Sequence, residues 1–248
     1  MSENPYAIPS TRVKVMPSLP RHPGQGSPFG GYREVGVLSK VIVAFLVVGV
    51  LFDVVYGFIT MIDLQEVSQH NDDHGSPFYL QLSRVSDLVD HGEKILMLVL
   101  AVLWCIWTSR VCKNAWLINS QDGATAIYRG RKSYRPVEAW VFHFIPIIQF
   151  WIPFQAMAWI RDASQKPLGL TMGKLVGLLW FFWFASSVAA VIRVFFIYGA
   201  KTNEEFATLY RVSLVLSPLS MVSTVIAGLM VLRLSLIQRL RASDLGLR

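Results

Sequence analysis

The sequence predicts an all-α integral membrane protein with four transmembrane helices and a proline-broken re-entrant or interfacial helical segment. Apolar residues make up 53% of the 248 residues and charged residues only 16%, whereas an average soluble domain has roughly 25% charged residues. The mean hydropathy is +0.45, and the apolar residues form runs long enough to cross the roughly 30 Å hydrocarbon core of a bilayer. The net charge is +7, and the basic residues flank the apolar runs. This arrangement favours anionic lipid head groups over nucleic acid as partners.

Composition divides the chain into three parts. Residues 1–36 are rich in proline and glycine and are expected to form a disordered cytoplasmic arm. They are not expected to form a cleavable signal peptide, because the first apolar run begins only near Val37. Residues 37–235 form the predicted membrane domain, and residues 236–248 a basic cytoplasmic tail. The four spans are placed at about 38–62, 88–112, 175–200 and 208–232.

An acidic stretch separates the first two spans. The first span contains the run VIVAFLVVGVLFDVVYGFITMI, in which Asp53 is the single charge. Residues 63–93 carry seven acidic residues against Arg84 alone. The second span centres on ILMLVLAVLWCIW. Because this core alone is too short to cross the bilayer, the helix is expected to borrow flanking residues at both ends.

Residues 136–160 are apolar enough to enter the bilayer, but Pro146 and Pro153 interrupt them. Each proline removes a backbone donor, and the freed carbonyl group needs a partner inside hydrocarbon. A full crossing would place Arg161, Lys174 and the C-terminal arginines outside, although basic loops tend to stay in the cytoplasm. If the segment enters and leaves on the cytoplasmic side, the basic loops all lie in the cytoplasm and the acidic loops outside, as this rule expects. The sequence therefore predicts four spans, a re-entrant segment at 136–160, and both termini in the cytoplasm.

The last two spans carry small residues at helical spacing. Gly173 and Gly177 stand four residues apart near the start of one span, and Ser220, Thr224 and Gly228 follow each other in the other. Small residues let helices approach closely. We expect these faces to pack against neighbouring helices, and they would equally suit a homo-oligomer or another membrane protein.

Two motifs resemble a known family. The run WTSRVCKNA at 107–115 ends the second span, and a W-x5-P-x6-P spacing runs from Trp140 to Pro153, followed by Gln155 and Met157. Together they resemble the bacterial domain-of-unknown-function 4328 family of multi-pass membrane proteins. The resemblance extends from the first span to the last in hydropathy. It implies a multi-helix fold in the bacterial inner membrane, and it implies no activity.

Asp53 and Arg193 are the most informative polar pair. A lone charge near the bilayer centre costs roughly 2.5–3.5 kcal/mol, and the predicted topology places both residues at similar depth in the outer halves of their helices. A salt bridge between them would lower this cost and clamp the two spans together. A proton or ion relay, or separate snorkelling of the two side chains toward the head groups, are the alternatives.

A second candidate is a cytoplasmic polar pocket. Arg110 and Asn114 share one helix face at the inner end of the second span, and Glu138 is the nearest acid at the start of the re-entrant segment. The alternative is a snorkelling arginine beside a capping asparagine.

The re-entrant segment is the best candidate for a ligand site, because irregular backbone at membrane depth is tolerated where it is buried or lines a cavity. A lone histidine such as the one in this segment is nevertheless more often a packing residue. The candidate residues are Trp140, His143, Pro146, Gln149 and Pro153.

No cofactor is predicted, and metal binding has only weak support. His70 and His74 flank two aspartates in the acidic stretch, but a zinc site needs three or four converging ligands. The solvated acidic loop is the simpler interpretation.

No HExxH motif, Walker motif or Rossmann glycine pattern occurs in the sequence. We therefore expect a non-enzymatic structural or regulatory membrane module. The alternatives are a small transporter or channel using the re-entrant segment, and an intramembrane lipid-acting enzyme with His143 and Glu138 as acid–base groups. A cavity at Pro146–Pro153 would favour transport or catalysis, and tight packing there would favour the module.

Overall fold

A computed structural model describes residues 30–68, 77–121, 134–145, 151–165, 173–199 and 202–247. Within these residues every regular element is an α-helix, and four helices, α1, α2, α5 and α6, are long and apolar enough to cross a membrane. The predicted all-α membrane fold is confirmed. The helices are α1 (Gly36–Ser68), α2 (Pro77–Gln121), α3 (Glu138–Val141), α4 (Ile152–Ser164), α5 (Gly173–Gly199) and α6 (Asn203–Asp244).

The long helices extend beyond the apolar runs that predicted them. α2 has 45 residues, about 68 Å at 1.5 Å per residue, which is more than twice the thickness of a bilayer core. α6 continues to Asp244, and its Gln238, Arg241 and Ala242 are buried. Residues 236–244 are therefore the last turns of α6 rather than a separate tail, because their inner face packs into the bundle. Of the predicted N-terminal arm, residues 1–29 lie outside the described residues.

Five helices form a ring. α1 packs on α2, α2 on α4, α4 on α5, α5 on α6, and α6 returns to α1 in the most extensive contact of the fold. The close approach of α6 to α1 occurs at Gly228, where an added Cβ would lie 3.7 Å from Leu46 and 3.9 Å from Val43. The predicted packing face thus holds for Gly228. At Gly177 an added Cβ would meet no atom within 4 Å in the described structure, so this position packs against no neighbouring helix of the same chain, and its use in a homo-oligomer stays a prediction.

The outer faces of α1 and α5 are apolar and open. Leu51 and Phe58 on α1 are 58% and 64% exposed, and Phe195 on α5 is 75% exposed. Soluble monomers rarely show apolar patches of this extent. Side chains of this kind are stable where lipid tails surround the helices, so the exterior supports a membrane location.

Residues 134–145 and 151–165, which include α3 and α4, pack beside the C-terminal half of α2. The carbonyl of Tyr134 accepts a hydrogen bond from the Cys112 thiol at 3.4 Å. The Trp104 indole donates a hydrogen bond to His143. Trp104 precedes Cys112 by eight residues, about 12 Å along the axis of α2. Gln238 of α6 donates hydrogen bonds both to the Ser164 hydroxyl at the end of α4 and to the carbonyl of Val111, the residue before Cys112.

Candidate functional site

The helices surround a cavity of about 400 Å³ that is partly open to the outside of the bundle. Its wall is built by α1, α2, α4, α5 and α6 together with the two residues that follow the single turn α3. Most of the wall is apolar. The polar side chains with acidic or hydroxyl groups are Asp53, Glu93, Ser220, Ser223 and Thr224.

The acidic end of the cavity is formed by Asp53 of α1 and Glu93 of α2. The Ser220 hydroxyl of α6 donates a hydrogen bond to the Asp53 carboxylate at 3.4 Å. Ser223 and Thr224 stand three and four residues later on the same helix face and continue the row of hydroxyl groups. Glu93 lies where the polar first part of α2 gives way to its apolar run. This end of the cavity is therefore close to the polar boundary of the span.

The predicted salt bridge between Asp53 and Arg193 does not form in the described structure. Arg193 donates a hydrogen bond to the Tyr56 hydroxyl instead, and its guanidinium carbon lies 4.9 Å from the centre of the Tyr56 ring. The two charges have separate partners because Asp53 faces the cavity, whereas neither Arg193 nor Tyr56 belongs to the cavity wall. The clamp between α1 and α5 exists, but it is a cation–π contact and a hydrogen bond.

The candidate residues of the re-entrant segment are only partly brought together. His143 and Pro153 line the cavity, whereas Trp140 does not. Pro153 is buried in the first turn of α4, a position where the missing backbone donor costs no helical hydrogen bond. Pro146 and Gln149 lie outside the described residues.

His143 is held as a packing residue. Its Nε2 atom lies 3.4 Å from the Trp104 indole nitrogen, which can only donate. Its Nδ1 atom lies 3.3 Å from the Trp140 carbonyl oxygen, which can only accept. A neutral imidazole with its proton on Nδ1 satisfies both contacts. Neither ring nitrogen is left for a relay or for a metal ion.

The opposite end of the cavity is aromatic. Trp180 of α5 contacts Phe154 of α4 with ring centres 5.5 Å apart, and it stacks on Phe184 at 5.7 Å. Trp104 and Trp183 complete this part of the wall. The cavity therefore has an acidic end and an aromatic end.

A dry layer closes the bundle beyond the aromatic end. Trp107 and Val111 of α2 meet Val231 and Leu234 of α6 and Ile160 of α4 in one apolar cluster. Each of these five side chains is at most 1% exposed. No polar group of the cavity wall reaches past this layer in the described part of the chain.

Beyond the layer lies a buried polar cluster, which we call the amide cluster: Asn114, Gln238, Ser164 and the backbone of Arg33. The Asn114 side chain accepts from the Arg33 N–H at 3.0 Å and donates to its carbonyl at 2.8 Å. It also donates to Gln238 at 3.3 Å. Gln238 in turn donates to the Val111 carbonyl at 2.8 Å and to the Ser164 hydroxyl at 2.9 Å. The cluster joins α2, α4, α6 and the segment before α1.

The predicted pocket of Arg110, Asn114 and Glu138 does not assemble. Asn114 is fully buried in the amide cluster, and the Glu138 carboxylate accepts the backbone N–H of Arg135 at 3.0 Å. No hydrogen bond or ion pair of the described structure links Arg110 to either residue. The three residues stay apart because Asn114 faces inward toward α6, whereas the Glu138 carboxylate turns back to the Arg135 backbone.

Sequence reasoning missed the partners of the buried polar groups. Gln238 was hidden in a basic stretch that was assigned to the tail, and Ser164 carries no signal of its own. Glu93 could have been found, because it immediately precedes an apolar run while Asp53 interrupts another. His70 and His74 lie outside the described residues, and the described residues contain no group of three metal-ligating side chains.

The fold and the cavity define a membrane-type helical bundle with one acidic and one aromatic end to its interior. The chain belongs to the family described as domain of unknown function (DUF4328), whose family model matches residues 81–236. The resemblance noted in the sequence is therefore confirmed. The match includes Glu93 and His143, and it leaves out α1 with Asp53. No curated protein and no solved structure matches the chain.

Proposed function

We propose that this chain is a non-enzymatic, ligand-binding module of the bacterial cell membrane, in which the central cavity is the binding site. The cavity of about 400 Å³ carries the proposal, since small-molecule sites span roughly 300–1,000 Å³. Its mostly apolar wall, with a few polar groups at one end, has the composition typical of such sites. A regulatory role follows naturally for a module that binds without transforming its ligand.

The arrangement of acid–base groups supports binding rather than catalysis. The enzyme alternative needs His143 and Glu138 together, but Glu138 is no part of the cavity wall and binds the Arg135 backbone. Both nitrogens of His143 have partners. The cavity wall pairs the Ser220 hydroxyl with the Asp53 carboxylate at 3.4 Å, but no histidine or lysine base contacts a hydroxyl group of the wall in the described structure.

The dry layer supports binding over passage. A channel would need a continuous open path, and buried side chains fill the layer around Trp107 and Leu234, where the Trp107 indole donates a hydrogen bond to Ser235 at 3.1 Å. A small transporter is the second candidate, because the same cavity would serve if this layer opened in another conformation. Pro153 lines the cavity, and a cavity at this segment is the observation that, from the sequence, favours transport or catalysis, so the transporter stays the second candidate.

Topology is part of the proposal. Tyr134 accepts a hydrogen bond from Cys112 of α2, and Gln238 of α6 bridges Ser164 to the neighbouring Val111 carbonyl. This supports a re-entrant segment at 136–160 that begins and ends on one side of the membrane. We assign that side, and both termini, to the cytoplasm, because the loops and helix ends there are basic. The same basic residues would contact anionic head groups.

Thiol labelling tests the cavity. In a protein with Cys105→Ala and Cys112→Ala, a cysteine is introduced either at Ala101, which lines the cavity, or at Leu98, which is 69% exposed on the outer face of the same helix. A small, water-soluble methanethiosulfonate reagent is expected to modify Ala101→Cys at least tenfold faster than Leu98→Cys in nanodiscs. Equal slow labelling at both positions would contradict a hydrated cavity.

A further inference from the structure

We propose that the cavity takes an amphipathic cation, with an ammonium-type group at Asp53 and Glu93 and an apolar body at the aromatic end. The inference rests on the proposed function and names the chemical class of its ligand.

The acidic end lacks a positive charge. No lysine or arginine belongs to the cavity wall in the described structure, although two carboxylates face it. The Asp53 carboxylate accepts only the neutral Ser220 hydroxyl within the described structure.

The neighbouring cations of the protein are engaged elsewhere. The Lys94 ammonium interacts electrostatically with the neighbouring Glu93 carboxylate, but it is exposed outside the cavity wall and binds the Asp90 carboxylate at 2.5 Å. Arg193 binds Tyr56. A carboxylate withdrawn from water is costly unless a cation pairs with it. The ligand is therefore the natural source of the missing positive charge.

The aromatic end suits an apolar body. Trp104, Trp180 and Phe154 present ring surfaces to the cavity, and such faces pack against alkyl groups and attract cations. Glu93 and Trp104 are eleven residues apart on α2, about 16 Å along the helix axis. A ligand with its charge at one end of a medium-length apolar chain spans this distance.

The orientation of the cavity agrees with this ligand. The acidic end lies at the polar boundary of α2, and the aromatic end is closed by the dry layer at Trp107. The charged group of the ligand would therefore stay near water while its chain points into the membrane interior. An amphiphile in one leaflet of a bilayer adopts the same orientation.

Three probes that share one chain and differ in charge test the inference: decyltrimethylammonium, decanol and decyl sulfate. The readout is the protection of Ala101→Cys from the thiol reagent in phosphatidylcholine nanodiscs, corrected for the partitioning of each probe into empty nanodiscs. Decyltrimethylammonium is expected to protect at a concentration at least tenfold below that of decyl sulfate, which corresponds to about 1.4 kcal/mol. Decanol should fall between them.

Neutralising Asp53 and Glu93 should remove the difference between the concentrations at which the charged probes protect. With Asp53→Asn and Glu93→Gln together, the cation and the sulfate are expected to protect within threefold of each other. Decanol protection should stay unchanged, which also shows that the variant is folded. The matched control is Asp87→Asn, which removes an exposed acid of α2 outside the cavity wall and should leave the ranking intact.

The outcomes separate the two proposals. Equal protection by all three probes, or stronger protection by the sulfate, would overturn the cation inference and leave the binding function standing. Protection by none of them, with Ala101→Cys unlabelled from the start, would overturn both. The three probes are first compared in the protein that keeps both Asp53 and Glu93, so this comparison does not depend on whether the variants at these positions fold.

Discussion

At the scale of single residues, Asn114 has the largest structural role of the polar groups that the sequence singled out. Its amide meets both the N–H and the carbonyl of Arg33, as a neighbouring β-strand would. A partly buried backbone segment outside a helix is thereby satisfied. The motif that contains Asn114 suggested its importance, but only the structure shows that its partners are a backbone segment and Gln238.

Replacing Asn114 by leucine should destabilise the protein. The change keeps the branched shape and the number of heavy atoms of the side chain, and it leaves the Arg33 N–H, the Arg33 carbonyl and the Gln238 carbonyl oxygen without this partner. We expect a loss of about 2–4 kcal/mol, since each unsatisfied buried group costs roughly 1–3 kcal/mol. The measurement is the free energy of unfolding in mixed micelles titrated with dodecyl sulfate.

The control for this prediction is Thr208→Ala. The Thr208 hydroxyl is exposed and donates only to the Glu204 carbonyl of its own helix at 3.0 Å. Its removal should change the free energy of unfolding by less than about 0.5 kcal/mol. Losses of similar size in the two variants would mean that the amide cluster contributes no special stability.

At the scale of elements, hydropathy located the four long helices but not their lengths. α6 illustrates both points, because it contains Pro218 in its interior and remains one helix to Asp244. The proline leaves the Leu214 carbonyl without its helical donor, and the Ser217 hydroxyl donates to that carbonyl at 3.3 Å. At the other end, α6 continues past its apolar run, and its Gln238 is buried there in hydrogen bonds to Val111 and Ser164.

The path of residues 136–160 is the element-scale prediction. In the background without native cysteines, single cysteines replace Arg135, Lys174 and Glu204, which are all exposed. A re-entrant segment places Arg135→Cys and Lys174→Cys on one side and Glu204→Cys on the other. A membrane-impermeant maleimide applied to intact spheroplasts should label only Glu204→Cys, and permeabilisation should add the other two.

A fifth crossing predicts a different pairing. Lys174→Cys would then react from outside, whereas Arg135→Cys and Glu204→Cys would stay protected until permeabilisation. Because each topology pairs Arg135→Cys with a different partner, the result decides between them without reference to the absolute orientation.

At the scale of the whole molecule, the ring of helices creates a property that no single helix has. Asp53, Glu93 and Ser220 come from three helices and meet only because α1, α2 and α6 are neighbours in the ring. The segment shared with the family begins at residue 81, so α1 contributes its acid from outside the matched region. The cavity wall is therefore formed by the segment that matches the family together with α1, which precedes it.

Filling the cavity should stabilise the fold and abolish binding. Ala227→Phe places a ring in the cavity wall, and cavity filling commonly adds roughly 0.5–2 kcal/mol of stability. Decanol should then no longer protect Ala101→Cys. The control Val225→Phe changes a side chain that is 53% exposed on the opposite face of α6, and it should alter neither quantity. Unchanged decanol protection in Ala227→Phe would place the binding site elsewhere.

The sequence by itself determined that the protein is a four-helix membrane bundle and that it belongs to its family, because long apolar runs and local motifs are properties of contiguous residues. It also marked Asp53, Asn114 and His143 as unusual, since polar groups in apolar surroundings are costly wherever they point. Only the tertiary structure decided their partners. Asp53 faces Glu93 across a cavity rather than Arg193, because the rotation of each helix about its axis depends on the packing of the whole ring.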